Sequence, residues 1–146
     1  MRSFTYHAHV NRTPEQLFAF MTDFSKAPTW RSLVRHIEVV GGGPLRRGGQ
    51  VLLTLEAMGK VRQMTSDVWS YDPPTRIGFK NTESNVTGTF EYVLQPANGG
   101  TDVTFTCDIT PHGLMWLLLP LLLRSNRARY IEQLGRLKRA AERSAL

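Results

Sequence analysis

The stretch Phe4-Thr-Tyr-His-Ala-His-Val10, followed by Asn11-Arg12-Thr13-Pro14-Glu15, the apolar segment Leu17-Phe-Ala-Phe-Met21, then Asp23 and Trp30, decides how the rest of the chain reads. Phe4, Tyr6, Ala8 and Val10 alternate with Thr5, His7 and His9, the period of a strand with one buried face. Thr13 is a good helix N-cap, Pro14 sits where a helix tolerates proline, and Glu15 favours the positive end of the helix dipole. Leu17, Phe18, Phe20 and Met21 supply a helical apolar stripe ending near Asp23. A second short helix or turn is expected over Phe24 to Trp30, with Pro28 at its start.

Outward from this corner the chain is rich in strands. Val34 to Val40 reads as one, and Gly41-Gly42-Gly43-Pro44 with Gly48-Gly49 forms an irregular loop. Gln50 to Ala57 and Val61 to Tyr71 are two long strands turned by Met58-Gly59-Lys60. Asp72-Pro73-Pro74 breaks the chain before a strand over Arg76 to Thr82, and a turn is expected at Glu83-Ser84-Asn85. Phe90, Tyr92 and Leu94 alternate with polar neighbours; Asn98-Gly99-Gly100 then reverses the chain into Val103, Phe105, Cys107 and Ile109, which alternate with Thr104, Thr106 and Asp108. One wet and one buried face indicate an antiparallel sheet.

A helix of about twenty residues is expected after Pro120, with Leu123, Tyr130, Leu134, Leu137 and Ala141 forming its apolar stripe and Ile131 widening it. That stripe needs the buried sheet face as its partner. The 146 residues suit one domain spanning 1–146, with 41% hydrophobic and 21% charged residues as in ordinary folded proteins. Five of the six net positive charges fall between Arg124 and Arg143. Such a helix face is either simply solvated or in contact with anionic headgroups or an acidic partner; no nucleic-acid motif accompanies it. Leu114-Met-Trp-Leu-Leu-Leu-Pro-Leu-Leu-Leu123 is the strongest apolar run. As a helix it would span roughly 15 Å, half a hydrocarbon core, so a buried or surface-docking segment is expected rather than a membrane span. One cysteine, Cys107, excludes an intramolecular disulfide. Residues 1 to 25 show no secretory leader, and a cytoplasmic location is expected.

Catalytic and metal chemistry is sparse. His7 and His9 share a strand face about 6–7 Å apart, but that face is the solvent side and no third ligand accompanies them, so no metal and no cofactor are expected. The Gly41 to Gly49 loop lacks the lysine and hydroxyl of a phosphate loop and leads into a strand; Arg46 and Arg47 could form a charged rim over a pocket. Cys107 lies on an apolar face, where a thiol behaves as a small hydrophobe, and no spacing ties it to His36 or His112. Asp23, Asp67 and Asp108 fall on a helix end or outer strand faces. The polar atoms expected on buried faces are the hydroxyls of Tyr6 and Tyr92, with Arg62 and Ser66, or Thr65 and Gln63 if the register shifts by one.

The order of elements resembles the START-like superfamily, also called SRPBCC, and within it the polyketide cyclase/dehydrase and lipid-transport family. The local matches are Val10 then Thr13-Pro14-Glu15-Gln16-Leu17-Phe18, Asp23 and Trp30; Gly48-Gly49 leading into a strand; Val68 before Asp72-Pro73-Pro74-Thr75-Arg76; Leu94-Gln-Pro-Ala-Asn-Gly-Gly-Thr101 before Val103; and the closing helix. The resemblance implies an α+β helix-grip: a curved antiparallel sheet of six or seven strands wrapped on a long C-terminal helix, with two short helices after the first strand. It also implies an apolar cavity between sheet and helix for a lipid, polyketide or similar molecule. The ligand-binding residues it suggests are Tyr6, Val39, Leu53, Met64, Val68, Phe79, Phe90, Tyr92, Phe105, Cys107, Trp116, Tyr130 and Leu134. Arg31, Arg35 and Arg62 point in or out according to register. The expected function is binding or transport of a hydrophobic small molecule, with transient membrane-surface contact through Leu114 to Leu123 and the basic last helix. The alternatives are a cyclase- or dehydrase-like enzyme, for which no catalytic residues are identified, and a regulatory interaction module.

Overall fold

Thr13 makes the first corner. Its hydroxyl accepts a bond from the Gln16 N–H while the Gln16 side chain reaches back to the Thr13 N–H, a capping box that starts helix α1 (Pro14–Thr22) directly after strand β1 (Phe4–Val10). In the computed structural model, which describes residues 4–83 and 85–144, a 3-10 helix at Phe24–Thr29 follows. It is started by Asp23, whose carboxylate accepts from the Ser25 N–H; Pro28 lies inside it near its end, not at its start.

Strands β2 (Val34–Val39), β3 (Gln50–Ala57), β4 (Lys60–Asp72), β5 (Arg76–Thr82), β6 (Val86–Ala97) and β7 (Gly100–Pro111) complete a seven-stranded antiparallel sheet in the order β1-β7-β6-β5-β4-β3-β2. The chain meanders from β2 to β7, and β7 then pairs with β1. Asn98 and Gly99 both take positive φ, 50° and 77°, as a two-residue hairpin of the I′ type requires; Met58 and Gly59 do the same between β3 and β4. Strand β6 begins earlier than its alternation suggested because Val86 and Thr87 keep pairing with Pro111 and Thr110. Of the expected turn at Glu83-Ser84-Asn85, Ser84 lies outside the described residues.

A second 3-10 helix (Gly113–Leu118) leads into α2 (Leu119–Arg143), 25 residues long, with Pro120 in its first turn. Helix α2 crosses the concave face, giving the expected helix-grip. Its buried residues are Gln133, Leu134, Leu137 and Ala141, all in its C-terminal half. Ile131 is exposed: one residue past Tyr130 turns it by about 100° away from the sheet.

The C-terminal end of α2 is latched to the β1–α1 corner. Arg12 donates to the carbonyl oxygens of Ala141 (3.1 Å), Glu142 (2.6 Å) and Ser144 (3.0 Å), satisfying acceptors that a helix end leaves open. Lys138 donates to the His9 carbonyl and to Glu142, whose carboxylate also accepts from the Asn11 N–H. The lysine bond, then the Asn11 bond, hold the Glu142 carboxyl below its ordinary value. Part of the basic character of this helix is therefore structural. Replacing Arg12 by alanine should lower stability by about 1–3 kcal/mol in urea denaturation, with faster amide exchange confined first to the last turn of α2; unchanged protection there would refute the latch.

Candidate functional site

Because α2 seats only its C-terminal half, its first half spans open space. Beneath it lies a cavity of about 660 Å³ between the helix and strands β2 to β7. Leu53, Leu55, Met64, Val86, Phe90 and Ile109 form its apolar wall, and Leu122 and Tyr130 look down from the helix. Tyr130 rests on Phe105 and Phe90, with ring centroids 4.9 and 5.0 Å away, and so divides the cavity from the packed core. Lys60, Val61, Arg62 and Glu83, all exposed, stand at its mouth, where Arg62 pairs with Glu83 at 2.7 Å.

Half of the inner polar groups, Asn126, Arg129 and Gln133, come from α2; Arg31, Ser32 and Asn81 supply the rest. Gln133 is buried and doubly used: its carbonyl oxygen accepts from the Ser32 N–H at 3.0 Å, and its amide donates to the Tyr92 hydroxyl at 2.9 Å. Asn126 donates to the Leu122 carbonyl and accepts from Arg129. Arg31, entering from the turn before β2, lies over the rings of Phe79 (5.3 Å) and Trp30 (5.8 Å). Burial raises the Tyr92 and Tyr130 phenols above their ordinary value, and pushes the Cys107 thiol up to about 12. All three stay protonated near neutrality, which suits ligand contact and packing rather than nucleophilic attack.

Of the residues named from the sequence, Leu53, Met64, Phe90 and Tyr130 line this cavity. Tyr92, Val68, Phe79, Phe105, Cys107 and Leu134 do not: all six are buried in the hydrophobic core. Tyr6 packs at the core margin against Phe4, and half-exposed Val39 lines a smaller, polar hollow of about 320 Å³ together with Arg46, so Arg46 rims that hollow and not the main cavity. Trp116 is also outside the cavity, on the exposed 3-10 turn. Of the three register-dependent arginines, Arg31 faces the cavity, Arg62 stands at its mouth, and Arg35 pairs with Glu56 outside. Ser66 bonds Asn81 in the interior, whereas Gln63 and Thr65 are exposed. His7 and His9 face outward against Thr104 and Asp102, and the described residues contain no group of three or more His, Cys, Asp or Glu placed to hold a metal ion.

Sequence reading missed Asn126, Arg129 and Gln133. A signal existed: Asn126 and Gln133 fall at helical spacing on the stripe of Leu123, Tyr130, Leu137 and Ala141, and polar residues on a buried stripe mark a place that is not solid core.

The apolar run also resolves into parts. Leu122 faces the cavity and Leu123 packs against the core, but Leu114, Leu117 and Leu121 are 84%, 79% and 63% exposed, with Trp116 half-exposed beside them. No helix among the described residues is long and apolar enough to cross a membrane.

The family model described as "Polyketide cyclase / dehydrase and lipid transport" matches residues 1–142. No curated protein matches the sequence. Among solved structures, TTHA0849 from Thermus thermophilus is similar with a TM-score of 0.75 at 18% identity, covering 97% of this chain and 98% of that one. The Zhui aromatase/cyclase from a Streptomyces species is similar with a TM-score of 0.74 at 16% identity, covering 96% and 93%. The di-domain ARO/CYC StfQ of the steffimycin biosynthetic pathway has a TM-score of 0.74 at 14% identity; the match covers 95% of this chain and 50% of StfQ.

The buried hydroxyls fix the sign of a pH dependence. Their folded-state proton affinity exceeds that of the unfolded chain, so stability is fully present below the ordinary tyrosine value of 10.0 and falls as pH rises past it. Urea midpoints should decline from pH 9 to pH 11, and Tyr130→Phe should flatten part of that decline; an identical slope in the variant would contradict the assignment.

Proposed function

The chain belongs to the polyketide cyclase / dehydrase and lipid transport family, and from that premise we propose that it binds and carries a hydrophobic small molecule in the cavity beneath α2. The supporting observation is the cavity itself: its volume lies in the range of small-molecule sites, about 300–1,000 Å³, and its deep wall is aliphatic and aromatic. Eight to ten methylenes buried there at about 0.8 kcal/mol each would supply roughly 6–8 kcal/mol before association costs. The ligand is held by apolar burial, and the few polar groups on α2 set its orientation.

One observation favours a second reading, an enzyme of the cyclase type acting on a polyketide-like substrate. Arg31 lies over Phe79 and Trp30, close enough to lower the Tyr92 phenol against the larger effect of burial. Against it, the Tyr92 hydroxyl is engaged by Gln133, and the cavity's one carboxylate among the described residues, Glu83, is engaged by Arg62. The carrier reading therefore leads. An open cavity disfavours the interaction-module alternative.

Delivery at a membrane surface fits the exposed Leu114 and Leu117 of the 3-10 helix and Leu121 of α2, with the exposed Arg124 and Arg127 following on α2. The adjacent Leu122 faces the cavity, so contact there would bring lipid beside its roof.

Two measurements test this reading. The fluorescent probe N-phenyl-1-naphthylamine should bind the purified protein, and Val86→Trp, which fills the cavity, should weaken that binding at least tenfold while leaving the urea midpoint nearly unchanged. Equal binding by both proteins would place the probe elsewhere and remove the proposal's support. For the membrane, Leu117→Asp with Leu121→Asp should abolish cosedimentation with phosphatidylglycerol vesicles without affecting probe binding; wild-type protein that stays in the supernatant would refute surface contact.

A further inference from the structure

The cavity is apolar in its wall but positive in its charge. Arg31, Lys60, Arg62 and Arg129 line it against one carboxylate, Glu83. The mouth accounts for part of this, since Arg62 and Glu83 neutralise each other and Lys60 is exposed to solvent. Arg31 and Arg129 differ: both are half-buried, and neither has an ion-pair partner among the described residues.

Their hydrogen-bonding capacity is also largely unspent. A guanidinium carries five N–H donors. The Arg31 side chain makes no hydrogen bond to a protein acceptor among the described residues; its guanidinium carbon lies 5.3 Å from the Phe79 ring centroid and 5.8 Å from that of Trp30, a cation–π contact that uses none of its N–H donors. Arg129 lies 5.7 Å from the Tyr130 ring centroid and donates one bond, to Asn126. The two arise from different elements, the turn before β2 and helix α2, yet both cations act on the Tyr130 phenol. Two held, unneutralised guanidiniums in a partly dry site carry an electrostatic cost that an anion arriving with the ligand would offset.

We infer that Arg31 and Arg129 form the head-group site of this cavity and select amphipathic carboxylates, with the apolar tail lying along Leu53, Met64, Val86 and Phe90. This deepens the ligand-binding reading and rests on it. A planar carboxylate presents two acceptor oxygens to guanidinium edges, which an alcohol of the same chain length does not.

The test compares dodecanoate with dodecan-1-ol by isothermal titration at low salt. Wild-type protein should bind dodecanoate at least tenfold more tightly than the alcohol. Arg31→Met and Arg129→Met should each weaken dodecanoate about tenfold and leave the alcohol unchanged, the alcohol serving as the measure that the variant is folded. Arg35→Met, which removes an arginine paired with Glu56 outside the cavity, should leave the ratio unaltered. Equal wild-type affinity for acid and alcohol, or variants that weaken both alike, would overturn the head-group assignment while leaving the hydrophobic-ligand reading in place. Tighter binding of dodecyl phosphate than of dodecanoate would reassign the pair to phosphate and overturn the carboxylate. Binding of neither ligand would sink the cavity reading itself.

Discussion

The whole arrangement depends on one constraint: α2 can bury its apolar stripe on the concave sheet over only half its length. Leu134, Leu137 and Ala141 are seated, and the Arg12 and Lys138 bonds hold that end to the β1–α1 corner. The turns from Leu119 to Glu132 contain no buried residue, so the helix bridges the sheet there instead of filling it. A well-packed interior tolerates few voids larger than a water molecule. A cavity of this size therefore needs a support that does not collapse, and a helix anchored at one end and rested on Tyr130 provides it.

Gln133 marks the boundary between the two halves. A buried amide left unpaired would cost about 1–3 kcal/mol, but here it joins the Ser32 backbone to the Tyr92 hydroxyl and ties three elements together. On its C-terminal side the helix is core; on its N-terminal side Tyr130, Arg129, Asn126 and Leu122 face open volume. The same helix thus supplies structure and site, divided by position along its axis.

Much of the fold was legible because it is encoded by neighbours in the chain. Thr13 with Gln16 caps a helix, Asn98-Gly99 forces a tight hairpin, and the alternation from Phe4 to Val10 and from Val103 to Ile109 assigns faces. Pro28 misled only in placing a helix start, because proline is also accommodated within a short 3-10 turn. Less of the site was legible. Period-2 alternation placed Phe90, Tyr92, Phe105 and Cys107 on the concave face alike, but whether a concave residue meets α2 or open volume depends on where the helix crosses it. Phe90 lines the cavity, while Tyr92, Phe105 and Cys107 are buried behind it.

Taken alone, the sequence determined the strand order along the chain, the two short helices, the hairpins and the amphipathic last helix, because caps, turns and periodicities act over a few residues. Only the tertiary structure decided that the helix seats one half and spans with the other, that Leu114, Leu117 and Leu121 face outward, and that Arg31 and Arg129 share one cavity. Those outcomes depend on contacts between residues roughly a hundred positions apart, such as Ser32 with Gln133 and Arg12 with Ala141, whose geometry no local pattern specifies.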